Sequence, residues 1–243
     1  MRLVGVDPAW KPEANGSAIA VGRLHDATLE VEQLHGAVFG LSRVAATILA
    51  ADPDGVAIDG PLIIENETGR RACEQALSKV YAAKHAGCHT CNNALYPDAA
   101  VVGLSRQLRG AGYRHLGVAP ADRFQIEVYP HPALIEIFGL PRRLLYKKGN
   151  VDSKRGGQIA LASLLRRLEA SSVLVLKVPD ALEAHLHAQT ISQLKGKALK
   201  ANEDALDSLI CLYVCGLYAI GTSMRVFGDA IDGYVVVPTI RAL

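Results

Sequence analysis

Apolar and polar positions along the first third of the chain predict strands. Residues 3–6 are a short continuous apolar run ending at Asp7, and residues 17–24 are a second run rich in Ala, Ile and Val. Over residues 28–34, Leu29 and Val31 alternate with Glu30 and Glu32. The first two runs look like buried strands, and the third has the period of two of a half-buried strand. His25-Asp26 punctuates the second and third, and together the three predict an antiparallel meander. Helical spacing then takes over at Leu41, Val44, Ala45, Ile48 and Leu49, stopped by Asp52-Pro53. Residues 56–58 predict another buried strand, which delivers Asp59 just before Gly60-Pro61.

Further along, residues 68–84 predict a helix, and residues 85–120 are irregular, with many Gly, Asn, Pro and Cys. Residues 123–129 predict a strand carrying Glu127 near its end. Residues 132–138, 154–169 and 180–194 predict helices. The clearest helix is 203–220, where Asn202 is placed to cap it and Glu203 and Asp204 suit its positive end. Residues 233–237 form a late strand or extended tail. A meander followed by crossover-connected strands predicts an α/β domain with a mixed five-stranded sheet flanked by helices. The expectation is one domain over residues 1–243, with a helical and irregular insert at about 65–120.

Composition narrows this picture. Of 243 residues, 50% are hydrophobic and 21% charged, which fits a packed core and excludes a disordered chain. A net charge of +2 means that any nucleic-acid binding must come from local patches. The apolar run before Asp7 is too short for a signal peptide, and no long charge-free apolar stretch predicts a membrane span. Five cysteines are too few, and odd in number, for a disulfide scaffold. The expectation is a reduced, cytoplasmic protein with no membrane partner.

The candidate chemistry lies in the acids. Asp7 and Asp59 each follow an apolar strand and precede a chain break. Parallel neighbouring strands would bring both carboxylates to one edge of the sheet, where open α/β sheets bind ligands. Glu127 would join them from the next strand, and Asp204 and Asp207 share a helix face. Each has an ordinary alternative: an aspartate before Pro or Gly is a common turn residue, and Asp204 could simply complement a helix dipole. Asp207 is harder to explain that way, because it adjoins the apolar run Leu209, Ile210, Leu212 and Val214, where a carboxylate needs a partner. Converging carboxylates call for a hard cation, magnesium or manganese. Two such ions about 4 Å apart would serve phosphodiester cleavage. The catalytic set expected is Asp7, Asp59, Glu127 and Asp207 with His131, and the metal set Asp7, Asp59, Glu127, Asp204 and Asp207.

Several segments resemble a known family. Gly5 to Trp10 (GVDPAW), Ala57 to Leu62 (AIDGPL), Gly69 to Glu74 (GRRACE), Glu127 to Leu134 (EVYPHPAL), Tyr146 to Gly149 (YKKG) and Glu203 to Cys211 (EDALDSLIC) occur in the order of the family known as domain of unknown function 429. That family is regarded as predicted nucleases of ribonuclease-H-like fold. The resemblance implies such a fold, with Asp7, then Asp59 or Glu127, then Asp204 and Asp207 as metal ligands. The D-x-x-D pair at Asp204 and Asp207 is similar to that of Holliday-junction resolvases.

Other residues carry secondary expectations. His131 could act as an acid or base if its pKa lies near neutrality. His85, Cys88, His89 and Cys91 have zinc-ligand chemistry but crowd too closely to close a tetrahedron, so no zinc is expected. Arg142, Arg143, Lys147 and Lys148 are the best candidates for gripping a phosphate backbone. Tyr146 alone lies near them, so no aromatic interleaving marks a platform for stacking single strands. The leading expectation is a magnesium-dependent nuclease with nucleic acid as partner. Two alternatives are a phosphotransferase like the sugar kinases and actin-like ATPases, and a non-catalytic binding module. Pro8-Ala9-Trp10-Lys11 is a poor phosphate loop for the first, and unneutralised acids at one edge would destabilise the second.

Overall fold

A computed structural model describes residues 1–242. The predicted meander is present as β1 (Arg2–Asp7), β2 (Ser17–His25) and β3 (Thr28–Val38), paired antiparallel. Helix α1 (Leu41–Ala50) then crosses to β4 (Gly55–Asp59), which lies parallel to β1. Helix α2 (Ala72–Tyr81), helix α3 (Ala100–Gly110) and the two-residue β5 (Arg114–His115) lead to β6 (Phe124–Val128), parallel to β4. There follow α4 (Pro130–Phe138), α5 (Val151–Arg167), β7 (Val175–Lys177), α6 (Ala188–Gln193), α7 (Gly196–Ala219), β8 (Met224–Asp229) and β9 (Gly233–Pro238).

All strands join one mixed sheet of nine, in the order β7-β3-β2-β1-β4-β6-β9-β8, with β5 also pairing to β6. The sheet is therefore wider than the five strands expected. Short β7 extends the β3 edge, and the β8–β9 hairpin extends the other. The stretch expected to be irregular holds α3, whose Val101, Leu104 and Leu108 recur at helical spacing and are buried. The helix expected over 180–194 is instead a run of 3-10 turns followed by the short α6.

Helix α7 lies across β1, β2, β3 and β4 and organises the centre. It begins at Gly196, upstream of the expected start, so Asn202 caps nothing. Its side chain instead donates to Gln158 Oε1 at 3.0 Å inside the structure. The contact between α7 and β1 depends on Gly5. A Cβ there would lie 2.1 Å from the Leu212 nitrogen and 2.2 Å from the Ser208 oxygen, so only glycine lets the helix sit this close. A second close approach fixes the segment before α5, where a Cβ at Gly157 would lie 1.8 Å from the Leu145 oxygen. Asn150 caps α5 by accepting the Ser153 N–H at 2.8 Å. These two contacts place Asp207 and the Tyr146–Lys147 pair relative to the sheet.

Candidate metal centre

Alternation along the strands decides which acids meet. Gly5 faces α7, so Asp7, two residues on, lies on the same face of the sheet. Gly5 pairs with Ala57, which puts Asp59 on that face too. Helix α7 covers this face and brings Asp207 down onto it. The outcome is a triad in which Asp7, Asp59 and Asp207 each offer a carboxylate oxygen, all within 4.8 Å of one another.

Asp207 is fully buried, and its Oδ1 accepts the Tyr146 hydroxyl at 2.6 Å. Its Oδ2 receives no directed hydrogen bond, although Lys147 Nζ lies 2.6 Å away. That contact is an ion pair. Lys147 Nζ is also 3.4 Å from Asp59 Oδ2. Burial opposes charge on Lys147, but Asp207, Tyr146, Asp59 and Asp7 together hold its ammonium well above the usual lysine range.

One ammonium does not balance three carboxylates. Burial, and then the neighbouring Asp207 and Asp59, push the Asp7 carboxyl well above its ordinary value. Burial raises Asp59 to about 6 even with Lys147 beside it. The floor is thus short of positive charge, and one buried oxygen lacks a directed partner. Three hard oxygen donors suit a divalent cation such as magnesium or manganese. The three donor oxygens lie within 4.8 Å of one another, close enough for side-chain adjustment to bring them onto one ion. The donor set fits the group.

Two of the expected ligands line the same cavity but lie outside the triad. Glu127 pairs in register with Ile58, while Asp59 pairs with Val128. Because strand side chains alternate, this register turns Glu127 to the opposite face from Asp59. There Arg71 grips it through two bonds, Nη2 to Oε1 at 2.6 Å and Nη1 to Oε2 at 2.9 Å, and the Leu62 N–H adds a third at 2.9 Å. Asp204 is taken by Lys200 at 2.6 Å, and Lys200 also holds Glu203 at 2.7 Å. Neither Glu127 nor Asp204 joins the triad.

The triad and its surroundings open into a cavity of about 570 Å³. His131 lines it, but burial and then Lys147 and Arg143 lower its pKa to about 3. The imidazole is therefore neutral near physiological pH, not poised to shuttle protons there, and its Nδ1 has no partner. Of the basic residues expected on a phosphate backbone, Arg143 and Lys148 line the cavity, Arg142 is exposed outside it, and Lys147 is turned to the acids. Sequence reasoning missed Tyr146, Lys197 and Lys200. The last two share a face of α7 with Asp204 and Asp207, a spacing visible once the helix is extended back to Gly196. In the loop rich in Cys and His, the Cys91 N–H donates to Glu74 and the Cys88 N–H to Ser78. All five thiols are free, and among the described residues the only metal-capable cluster is the aspartate triad. No described helix is long and apolar enough to cross a membrane.

The profile of a protein family of unknown function, DUF429, matches residues 5–231, nearly the whole chain, and the chain belongs to that family. No curated protein matches it.

Proposed function

We propose that this member of the DUF429 family is a divalent-metal-dependent phosphodiester hydrolase acting on nucleic acid. The observation that carries the reading is the convergence of Asp7, Asp59 and Asp207 from two parallel strands and a buried helix onto one cavity floor. The core strand order β3-β2-β1-β4-β6, a meander followed by two parallel crossovers, supports a ribonuclease-H-like domain.

Asp7, Asp59 and Asp207 would hold magnesium or manganese, which supplies Lewis-acid polarisation of a phosphoryl oxygen and offsets the charge that develops during cleavage. The chain's own residues do the rest. Tyr146 fixes the Asp207 carboxylate through Oδ1, and the helix contact at Gly5 fixes its height above the sheet. Lys147, tethered at the floor, offers its ammonium to a phosphate oxygen once a cation shares the acids. Arg143, Lys148 and Lys197 line the same cavity and supply phosphate contacts. Asp204 lines the same cavity, held by Lys200, and would be the further acid available to a second ion.

The test is cleavage of end-labelled single-stranded, duplex and branched oligonucleotides in magnesium and in manganese, comparing wild type with Asp59→Asn. The reading expects metal-dependent cleavage of at least one substrate that falls at least a hundredfold in the variant. No cleavage of any substrate, or the same residual cleavage in both proteins, refutes it.

A further inference from the structure

The cavity above the acids has an aromatic wall. Trp10, three residues beyond Asp7, lines it and is 43% exposed. Its ring rests on Tyr96 with centroids 4.4 Å apart and planes tilted by 35°. Tyr96 packs in turn against the small cluster of Ile64, Cys91 and Val102, so the tryptophan is backed by a fixed ring. Phe39, 46% exposed just after β3, and Leu145, 57% exposed before α5, line the same cavity. Single exposed apolar side chains are ordinary. Three from distant segments around one charged floor describe a ligand with both a flat apolar face and negative charge.

We infer that Trp10 is a stacking platform for an unpaired base, and that the substrate strand enters this cavity single-stranded. The inference rests on the nucleic-acid reading above and adds the form of the substrate. A nucleobase offers the flat face, and its phosphate lies within reach of a basic lining that includes Arg143, Lys148 and Lys197. Bases in a duplex already have both faces covered, so only an unstacked base can occupy an aromatic wall. A cavity of about 570 Å³ is the size of a site for one or two nucleotides. No cluster of aromatics in the sequence announces this wall, because residues 10, 39 and 96 are brought together only by the fold.

Trp10 is the single tryptophan in the chain, so its emission reports stacking directly. The probes are a single-stranded DNA octamer, the same octamer with abasic sugars and unchanged phosphates, and a blunt duplex of that sequence. Each is titrated in calcium to hold back cleavage, and anisotropy of a labelled strand gives the affinity. The intact strand is expected to quench Trp10 and to bind about tenfold tighter than the abasic strand, the scale of one aromatic–base stack. Trp10→Ala is expected to lose that tenfold, while Trp10→Phe keeps most of it, both remaining folded with cooperative melting. Equal binding of intact and abasic strands without quenching overturns the stacking platform and leaves the nucleic-acid reading standing. Duplex bound as tightly as the single strand overturns it as well. Binding of none of the three removes both.

Discussion

Arg71→Met separates a structural role for Glu127 from a metal-binding one. In the native chain Arg71 makes two bonds to Glu127, donates Nε to Glu74 Oε1 at 2.8 Å and donates Nη1 to the Ile63 oxygen at 3.0 Å. All three side chains are almost completely buried. Methionine fills much of the volume but leaves two carboxylates facing each other with only backbone partners, the Leu62 N–H for Glu127 and the Arg71 and Cys91 N–H groups for Glu74. Removing one partner of a buried ion pair costs ~3–5 kcal/mol. In a chain of this length each kcal/mol is about 2 °C of Tm, so a fall of about 6–10 °C is expected at pH 7.5 by scanning calorimetry. Adding Glu127→Gln removes one of the stranded charges and should recover ~2 kcal/mol, a coupling readable from the double-mutant cycle. Manganese affinity should stay within a few-fold of wild type in every one of these variants, because Glu127 lines the same cavity but offers no oxygen to the triad. A tenfold loss of manganese affinity in Glu127→Gln, or an unchanged Tm in Arg71→Met, would refute the reasoning.

Other outcomes follow from the same geometry. The His131 pKa is depressed to about 3, so the unfolded chain takes up the proton first and stability falls as pH drops below the ordinary histidine value of ~6.5. Between pH 6.5 and 5 this amounts to about 2 kcal/mol; urea melts of His131→Gln should lack that share of the slope, and an identical slope would count against it. Gly5→Ala places a methyl against the α7 backbone, so a loss of about 3 kcal/mol or more is expected in urea unfolding, with the metal response lost because Asp207 is displaced; a near-neutral effect would mean the helix has room to move. Replacing the exposed Lys148 and Lys197 with Ala should leave folding intact and flatten the log–log salt dependence of single-strand binding by ~0.7 per residue, whereas an unchanged slope would exclude them as phosphate contacts.

Much of this site was legible in the sequence, for identifiable reasons. Asp7 and Asp59 stand at the ends of apolar strands before chain breaks, and Asp207 sits in an apolar helix where only a strong partner makes burial tolerable. That partner proved to be a pair, Tyr146 and Lys147, reached from 61 residues away in the case of the tyrosine. Glu127 misled because its place depends on strand register, which a single sequence does not display, and on an arginine 56 residues distant. Lys147 misled in the opposite direction: a Lys–Lys pair reads as surface charge, while the glycine contact at 157 presses the segment inward. Among the strands, β7 has three residues and its pattern is too short for a period to show. β8 is mostly exposed along its length, so it lacks the apolar run by which the central strands are recognised.

The central claim is that Asp7, Asp59 and Asp207 hold a divalent cation. Anomalous diffraction from crystals soaked in manganese tests it most directly, since it locates the ion without assuming any activity. The account predicts one strong peak on the cavity floor within about 2.3 Å of an oxygen from each of the three aspartates, with Lys147 moved off Asp207 Oδ2. A saturating soak that leaves no peak there, with the Lys147 ammonium still against Asp207, would contradict it.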